Sequence, residues 1–258
     1  MSKIFSGKVV LVSGGTSGIG KATALLFAQK GARVIIIGRN QTAGDSTVEE
    51  IKRKGDDAEF FQVDVSNSQA VTSFFRQISE VHHRLDCAFN AAGAEAVVAP
   101  TALQAEEHFN EMVAVDFKGT WLCLKNELQL MQNQKAGTIV NCSALAGIRG
   151  SQGAAIYAAC KHAIIGLTQS VALEYAESNI RINAVCPGIV QTPGMERTFS
   201  RIPGFSPEEV KQWGLSQIPV KRFGSSDEVA QAVIWLCSDA SSYLTGHSLV
   251  VDGGLHCK

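Results

Sequence analysis

The sequence of 258 residues predicts an α/β protein, a doubly wound parallel sheet of about seven strands with helices on both faces. Three observations predict it. The stretch 9–20, VVLVSGGTSGIG, is an apolar run closed by a glycine-rich turn, and KATALLFAQ at 21–29 then has helical composition. Further short apolar runs recur at 33–37, 58–63, 85–90, 138–142, 181–185 and 248–251, each separated from the next by a helical stretch. Polar or turn-forming residues fall at the carboxyl ends of these runs: Arg39, Asp64, Asn90, Ser143 and Pro187-Gly188. Ligands of open α/β sheets bind at that edge, where the winding reverses.

Each element has its own warrant. Strand 9–12 is β-branched apart from Leu11, as in a strand buried on both faces. Strand 33–37 (RVIII) is ended by Gly38-Arg39-Asn40, and 41–54 is a polar helix on the outside. Helix 66–81 has Ser66 or Asn67 as its cap. The fourth strand runs into Asn90-Ala91-Ala92-Gly93, residues 105–132 are helical, in two pieces, and 154–176 is one long helix. Residues 187–218 look irregular and hold four of the six prolines, with Met195, Phe199, Ile202, Phe205 and Trp213 scattered among them. Such a segment after a late strand is a candidate substrate lid, about 189–218. Helix 227–237 and strand 248–251 close a domain spanning 1–258.

Composition excludes several classes. Charged residues are 18% and the net charge is -1, which supports neither nucleic-acid binding nor a basic membrane patch. No apolar run has spanning length and the N-terminus has no signal-peptide core, so a cytoplasmic location is expected. Seven scattered cysteines without a CxxC pair read as small core residues in a reducing compartment, with no metal site.

The turn 13–20 puts free amides and the positive end of a helix dipole where a phosphate can sit. Gly14, Gly18 and Gly20 remove the Cβ atoms that would keep a pyrophosphate away. Tyr157 and Lys161, four apart on the long helix, project from one face. An ammonium beside a phenol favours the phenolate, so this Tyr can pass a proton to or from a carbonyl or alcohol oxygen. On its own a Tyr–Lys pair is an ordinary helix pattern; the crevice at the same sheet edge decides for chemistry. The 2′-hydroxyl of NAD is usually held by an acidic residue ending the second strand. Here Gly38 and Arg39 stand there, which predicts NADP(H) over NAD(H).

The chain resembles the short-chain dehydrogenase/reductase family over nearly its whole length. The matching pieces are SGGTSGIG (13–20), DV (64–65), NAAG (90–93), YAACK (157–161), PGIVQT (187–192) and DGG (252–254). The resemblance implies a Rossmann fold, a nicotinamide cofactor and hydride transfer at a carbonyl/alcohol carbon. It assigns the cofactor to Gly14, Thr16, Ser17, Gly18, Ile19, Gly20, Arg39 and Asn40. Asp64 and Val65 would contact adenine, and Asn90, Ala91 and Gly93 would border the dinucleotide. Pro187, Gly188, Ile189 and Thr192 would also bind the cofactor, with Thr192 approaching its carboxamide. Tyr157 would be the acid/base, and Lys161 would hold the nicotinamide ribose and tune it. A homotetramer, or a dimer, is implied.

Two positions depart from that pattern. The family's active-site Ser stands thirteen residues before the Tyr; here that residue is Ala144, with Ser143 one place early. The family's Asn is replaced by Asp116. Two function classes follow: an NADP(H)-dependent oxidoreductase, impaired by Ala144 unless Ser143 serves instead, or a cofactor-binding protein with little catalysis and a regulatory role. Dehydration or epimerisation is a distant third. Leu145, Ile148, Ile156, Met195 and Phe199 suggest a largely apolar small-molecule pocket, while Arg149, Arg197 and Arg201 are candidate partners for an acid group.

Overall fold

Seven parallel strands in the order β3-β2-β1-β4-β5-β6-β9 form the central sheet of the computed structural model, which describes residues 3–258. They are β1 Val9–Ser13, β2 Arg33–Gly38, β3 Asp57–Gln62, β4 Cys87–Asn90, β5 Gly137–Cys142, β6 Ile180–Pro187 and β9 Ser248–Val251. The remaining two, β7 Val190–Gln191 and β8 Gly224–Ser225, pair with each other beside the sheet. The winding reverses between β1 and β4, so the crevice for a ligand opens at their carboxyl ends.

Side-chain alternation divides the core in two. Val10, Val12, Val34, Ile36, Phe89 and Val140 face α1 (Gly18–Gln29) and α9 (Ser226–Cys237). Val9, Leu11, Ile35, Ile37, Ala88 and Ile139 face α3 (Ser68–His82), α5 (Gly119–Gln134) and α6 (Ala155–Tyr175). Strands with helices on both sides have no solvent face to keep polar, which is why 33–37 reads as an unbroken apolar run. Helix starts are fixed by caps. Asn40 accepts from Ala43 N at α2 (Gln41–Arg53), and Asn67 from Gln69 N and Ala70 N at α3.

One expectation needs correction. The segment 187–218 is not irregular: it holds α7 (Pro193–Phe199) and α8 (Pro207–Gln217). Thr192 caps α7, and Ser206 with Glu209 forms a capping box on α8. Pro193 and Pro207 each sit in the first helical turn, where a missing N–H is harmless, so the residues that look like breakers are starters. The two helical pieces between 105 and 132 are α4 (Glu106–Met112) and α5, joined without a break by a π-helical turn, Val113–Lys118. Such turns are rare and often lie at functional sites; this one carries Asp116.

Candidate active site

The glycine turn and α1 form one wall of the crevice. Ser17 stands at the N-cap of α1 without a side-chain hydrogen bond, and the first turn has no acidic residue. The leading amides therefore suit an anion. Gly14 has φ +70, and a Cβ there would lie 2.7 Å from Ala92 N. Close packing of the turn on the 90–93 turn, rather than room for a phosphate, is what requires glycine at 14. Thr16 packs at the end of β2 against Gly38, and Ile19 joins the α1 side of the core. Gly20 packs on Gly14. Arg39 is exposed and its guanidinium makes no hydrogen bond or ion pair among the described residues. Asn40 is occupied in capping α2.

The far wall collects the other strand ends. Asp64 accepts from the amide and hydroxyl of Ser66, at 2.9 and 2.7 Å. Val65 is buried against Gly119, so its side chain belongs to the core and only its backbone is available to an adenine. Asn90 is likewise buried, its amide turned inward to Glu127 and Asn141. Ala91 N donates to Ser13, and Gly93 lies beside Asp116. Pro187 ends β6, Gly188 N donates to Val251 O, and Ile189 packs in the small C-terminal core. Thr192 comes close to Gly18, so the start of the candidate lid meets the start of α1.

Between these walls lies the candidate proton-transfer group. Lys161 Nζ sits 5.4 Å from the Tyr157 ring centre. It is 2.7 Å from Asp116 Oδ1 and donates to Cys142 O at 3.3 Å. Asp116 is fully buried and its Oδ2 accepts from Ala94 N at 2.7 Å. Burial is the largest influence on Lys161 and works against its charge, but Asp116, Tyr157 and Cys142 together outweigh it, and the ammonium is held well above its usual range. Burial is also the largest influence on Tyr157 and pushes the phenol up; Lys161 pulls it down and Asp116 pushes it back. The net direction is upward, which corrects the expectation that Lys161 alone would lower it. The ammonium that would favour a phenolate already has a counter-ion.

Ala144, two residues past the end of β5, is buried in extended backbone. Ser143 is turned the other way, and its Oγ donates to Lys161 O at 2.8 Å within the core. Its hydroxyl proton is committed to the backbone of α6, so Ser143 does not reach the cleft. The small cleft against Tyr157 is lined by Glu95, Val97, Gln104, His108, Glu111, Met112 and Ile156. Of the five apolar residues expected there, only Ile156 lines it. Leu145 and Ile148 pack with Ile218 and Leu255, and Phe199 stacks edge-on with Phe223. Arg197 and Arg201 both pair with Glu95, and Arg149 donates to Leu255 O, so none awaits an acid group. A larger cleft of about 490 Å³ lies at the opposite end of the sheet, between Lys3, Arg33, Asp56 and Asp57. Its charges pair with each other and it takes no part in this site.

A family model described as enoyl-(acyl carrier protein) reductase matches residues 14–256. A 3-oxoacyl-[acyl-carrier-protein] reductase, FabG, of Thermotoga maritima is 37% identical over 249 residues, 96% of this chain and 98% of that protein. The chain belongs to the short-chain dehydrogenase/reductase family. Within that family the crystal structure of levodione reductase superposes with a TM-score of 0.95 at 32% identity, over 98% of this chain and 99% of that one. That of NAD+-bound xylitol dehydrogenase gives 0.93 at 33% identity, over 97% and 99%. This short-chain dehydrogenase/reductase is thus an oxidoreductase with the family's NAD(P)(H) chemistry on a Rossmann-type sheet. No helix among its described residues is long and apolar enough to cross a membrane.

Sequence reasoning missed Glu127 and the double pairing of Glu95. A carboxylate among Cys123, Leu124, Leu128 and Met131 on a buried helix face was the available signal for the first. No sequence signal joins Glu95 to arginines about a hundred residues away.

Proposed function

We propose that the chain is an NADP(H)-dependent carbonyl reductase/alcohol dehydrogenase in which Tyr157 is the general acid/base. The observation that carries this reading is the Tyr157–Lys161–Asp116 group at the sheet edge that also bears the glycine turn and the unpaired Arg39. The nicotinamide, when bound, supplies or accepts the hydride. The chain's residues do the rest. The α1 amides and Arg39 hold the phosphates, Arg39 taking the 2′-phosphate. Tyr157 gives its phenol proton to the substrate oxygen in reduction and removes it in oxidation. Lys161 stays charged beside it and meets the ribose. Burial, with Asp116 offsetting part of the Lys161 charge, keeps Tyr157 a proton donor at neutral pH.

Ala144 gives no hydroxyl to the reacting oxygen, and Ser143 is committed elsewhere, so turnover is weakened. Val97, Met112 and Ile156 stand beside Glu95, Gln104, His108 and Glu111 at Tyr157, a mixed lining that suits a small substrate with both apolar and polar parts. Residues 189–218 serve as the lid, with Glu95 pairing to Arg197 of α7 and to Arg201 just beyond it. The seven free cysteines suit a cytoplasmic enzyme. Trp121 on α5 and Leu173 on α6, exposed on two helices that cover the same face of the sheet, suit a homotetramer or dimer.

A screen of carbonyl and alcohol substrates with NADPH, NADH and their oxidised forms, followed at the nicotinamide absorbance, tests the reading. Turnover with an NADP(H) preference is expected. Tight NADPH binding with no turnover across the panel would favour the second reading, a cofactor-binding regulator, which the missing hydroxyl at 144 supports.

A further inference from the structure

Below the cofactor edge of the sheet a polar chain runs through otherwise apolar packing. Glu127 of α5 is fully buried, and its Oε2 accepts from Asn90 Nδ2 at 2.9 Å. Asn90 Nδ2 also donates to Asn141 Oδ1 of β5 at 3.1 Å. Asn141 Nδ2 donates to Thr168 Oγ1 of α6 at 2.9 Å, and Thr168 donates on to Ile164 O. These bonds use both hydrogens of the Asn90 amide. Two buried atoms are left without a partner, Glu127 Oε1 and Asn90 Oδ1. Both are acceptors while Glu127 is ionised, so neither can satisfy the other. A single proton on Oε1 makes it a donor, and Asn90 Oδ1 is the unfilled acceptor on the amide it already holds.

We propose that Glu127 is held as a neutral carboxylic acid that grips both ends of the Asn90 amide and so positions the 90–93 turn beside the cofactor crevice. The position of Asn90 matters because the next residues are stitched to the glycine turn. Ala91 N and Ala92 N donate to Ser13 Oγ, and Gly14 packs against Ala92. A tilt of Asn90 is passed straight to the wall that would meet the dinucleotide.

The surroundings agree with a neutral acid. Burial pushes the carboxyl up to about 8, against the opposing pull of the Asn90 N–H. No cation or second carboxylate contributes from any element packed on it. Asn90 of β4, Asn141 of β5 and Thr168 of α6 are neutral, and the titratable neighbour is Cys123 one turn earlier on α5, itself a buried thiol pushed well up.

The proton is readable by linkage. The native chain keeps it after the unfolded chain, with an ordinary carboxyl near 4.5, has lost it. Wild-type stability therefore falls as pH rises from about 4.5 to about 8, and the Glu127 contribution is flat above that. Glu127→Gln supplies the same donor and acceptor without titrating. Urea unfolding of both full-length proteins from pH 5 to pH 9 tests this. The ratio of their folding constants, Gln variant over wild type, is expected to rise roughly 10²–10³-fold and then level off. A ratio independent of pH would overturn the proposal. Glu127→Ala is expected to raise the cofactor KM several-fold more than it lowers kcat, with Glu127→Gln restoring it. Equal damage from Ala and Gln would also overturn it, and if the Ala variant does not fold the pH comparison alone decides. The KM comparison rests on the dinucleotide reading of the crevice and the unfolding comparison does not, so failure of one is distinguishable from failure of the other.

Discussion

The two walls of the crevice are built differently. The nucleotide wall, from Ser13 to Gly20, is made of backbone, a turn, a helix start and glycines packed on the next turn, with Arg39 the one side chain at its edge. The reaction wall, from Asp116 to Lys161, is made of side chains spread over a π-helical turn, the end of β5 and α6. The nucleotide wall keeps every part that the family resemblance implies. The reaction wall has lost a hydroxyl at 144 and gained a buried carboxylate at 116. A backbone site survives side-chain drift, because amides are present whatever the residue. A side-chain site changes its chemistry with one substitution. Both departures from the family pattern, at 116 and 144, fall on the reaction wall.

The largest expected effect breaks the reaction wall and spares the other. Tyr157→Phe removes one phenol proton and little volume. It is expected to lower kcat by about 10²–10⁴-fold with the NADPH dissociation constant within about threefold of wild type. Stopped-flow turnover and fluorescence titration read the two quantities separately, and a Phe variant with most of its activity would remove Tyr157 from the mechanism.

Arg39→Ala acts on the other wall. Loss of a charge-assisted pair with the 2′-phosphate is expected to reduce kcat/KM for NADPH by about 10–100-fold while NADH changes little. A wild-type preference for NADH would show that Arg39 is only surface charge.

Asp116→Asn asks what the new carboxylate does. Without its counter-ion, Lys161 pulls harder on Tyr157, whose proton should then leave at lower pH. For reduction, which needs the phenol, the alkaline limb of kcat/KM shifts to lower pH; for oxidation, which needs the phenolate, the acid limb shifts the same way. Unmoved limbs would mean that Asp116 orders the turn at Ala94 and does no more.

The smallest effect is on stability. Ser143→Ala removes the hydroxyl that donates to Lys161 O in the core, and about 1–2 kcal/mol of unfolding free energy should go with it. Denaturant unfolding reads this change. A Ser143→Ala protein of full stability and no activity would instead place Ser143 in the chemistry.

The contrast between the walls also explains what the sequence made legible. The sheet could be read because strands covered on both faces leave unbroken apolar runs such as Val34 to Ile37, and because Asn67 announces its helix as a cap. Residues 193–217 could not, since proline opens a helix as readily as it breaks one and only the caps at Thr192 and Ser206 distinguish the cases. At the site, the i, i+4 spacing of Tyr157 and Lys161 was visible. The direction of their proton balance was not, because it depends on Asp116, brought in from 45 residues away along the chain by a π-helical turn that no periodicity marks. Ser143 and Ala144 are neighbours whose side chains face opposite ways, and the counting that singled out 144 could not show where the hydroxyl of 143 had gone.

The central claim is that this chain runs its family's redox chemistry with one donor missing, and Ala144→Ser tests it most directly. The restored hydroxyl stands where a transition-state donor is worth about 10²–10³ in rate. The account predicts a kcat raised by roughly 10²-fold or more on one carbonyl substrate with NADPH, at unchanged cofactor affinity. A kcat that does not move would contradict it, and would leave the crevice a place where a dinucleotide binds without being used.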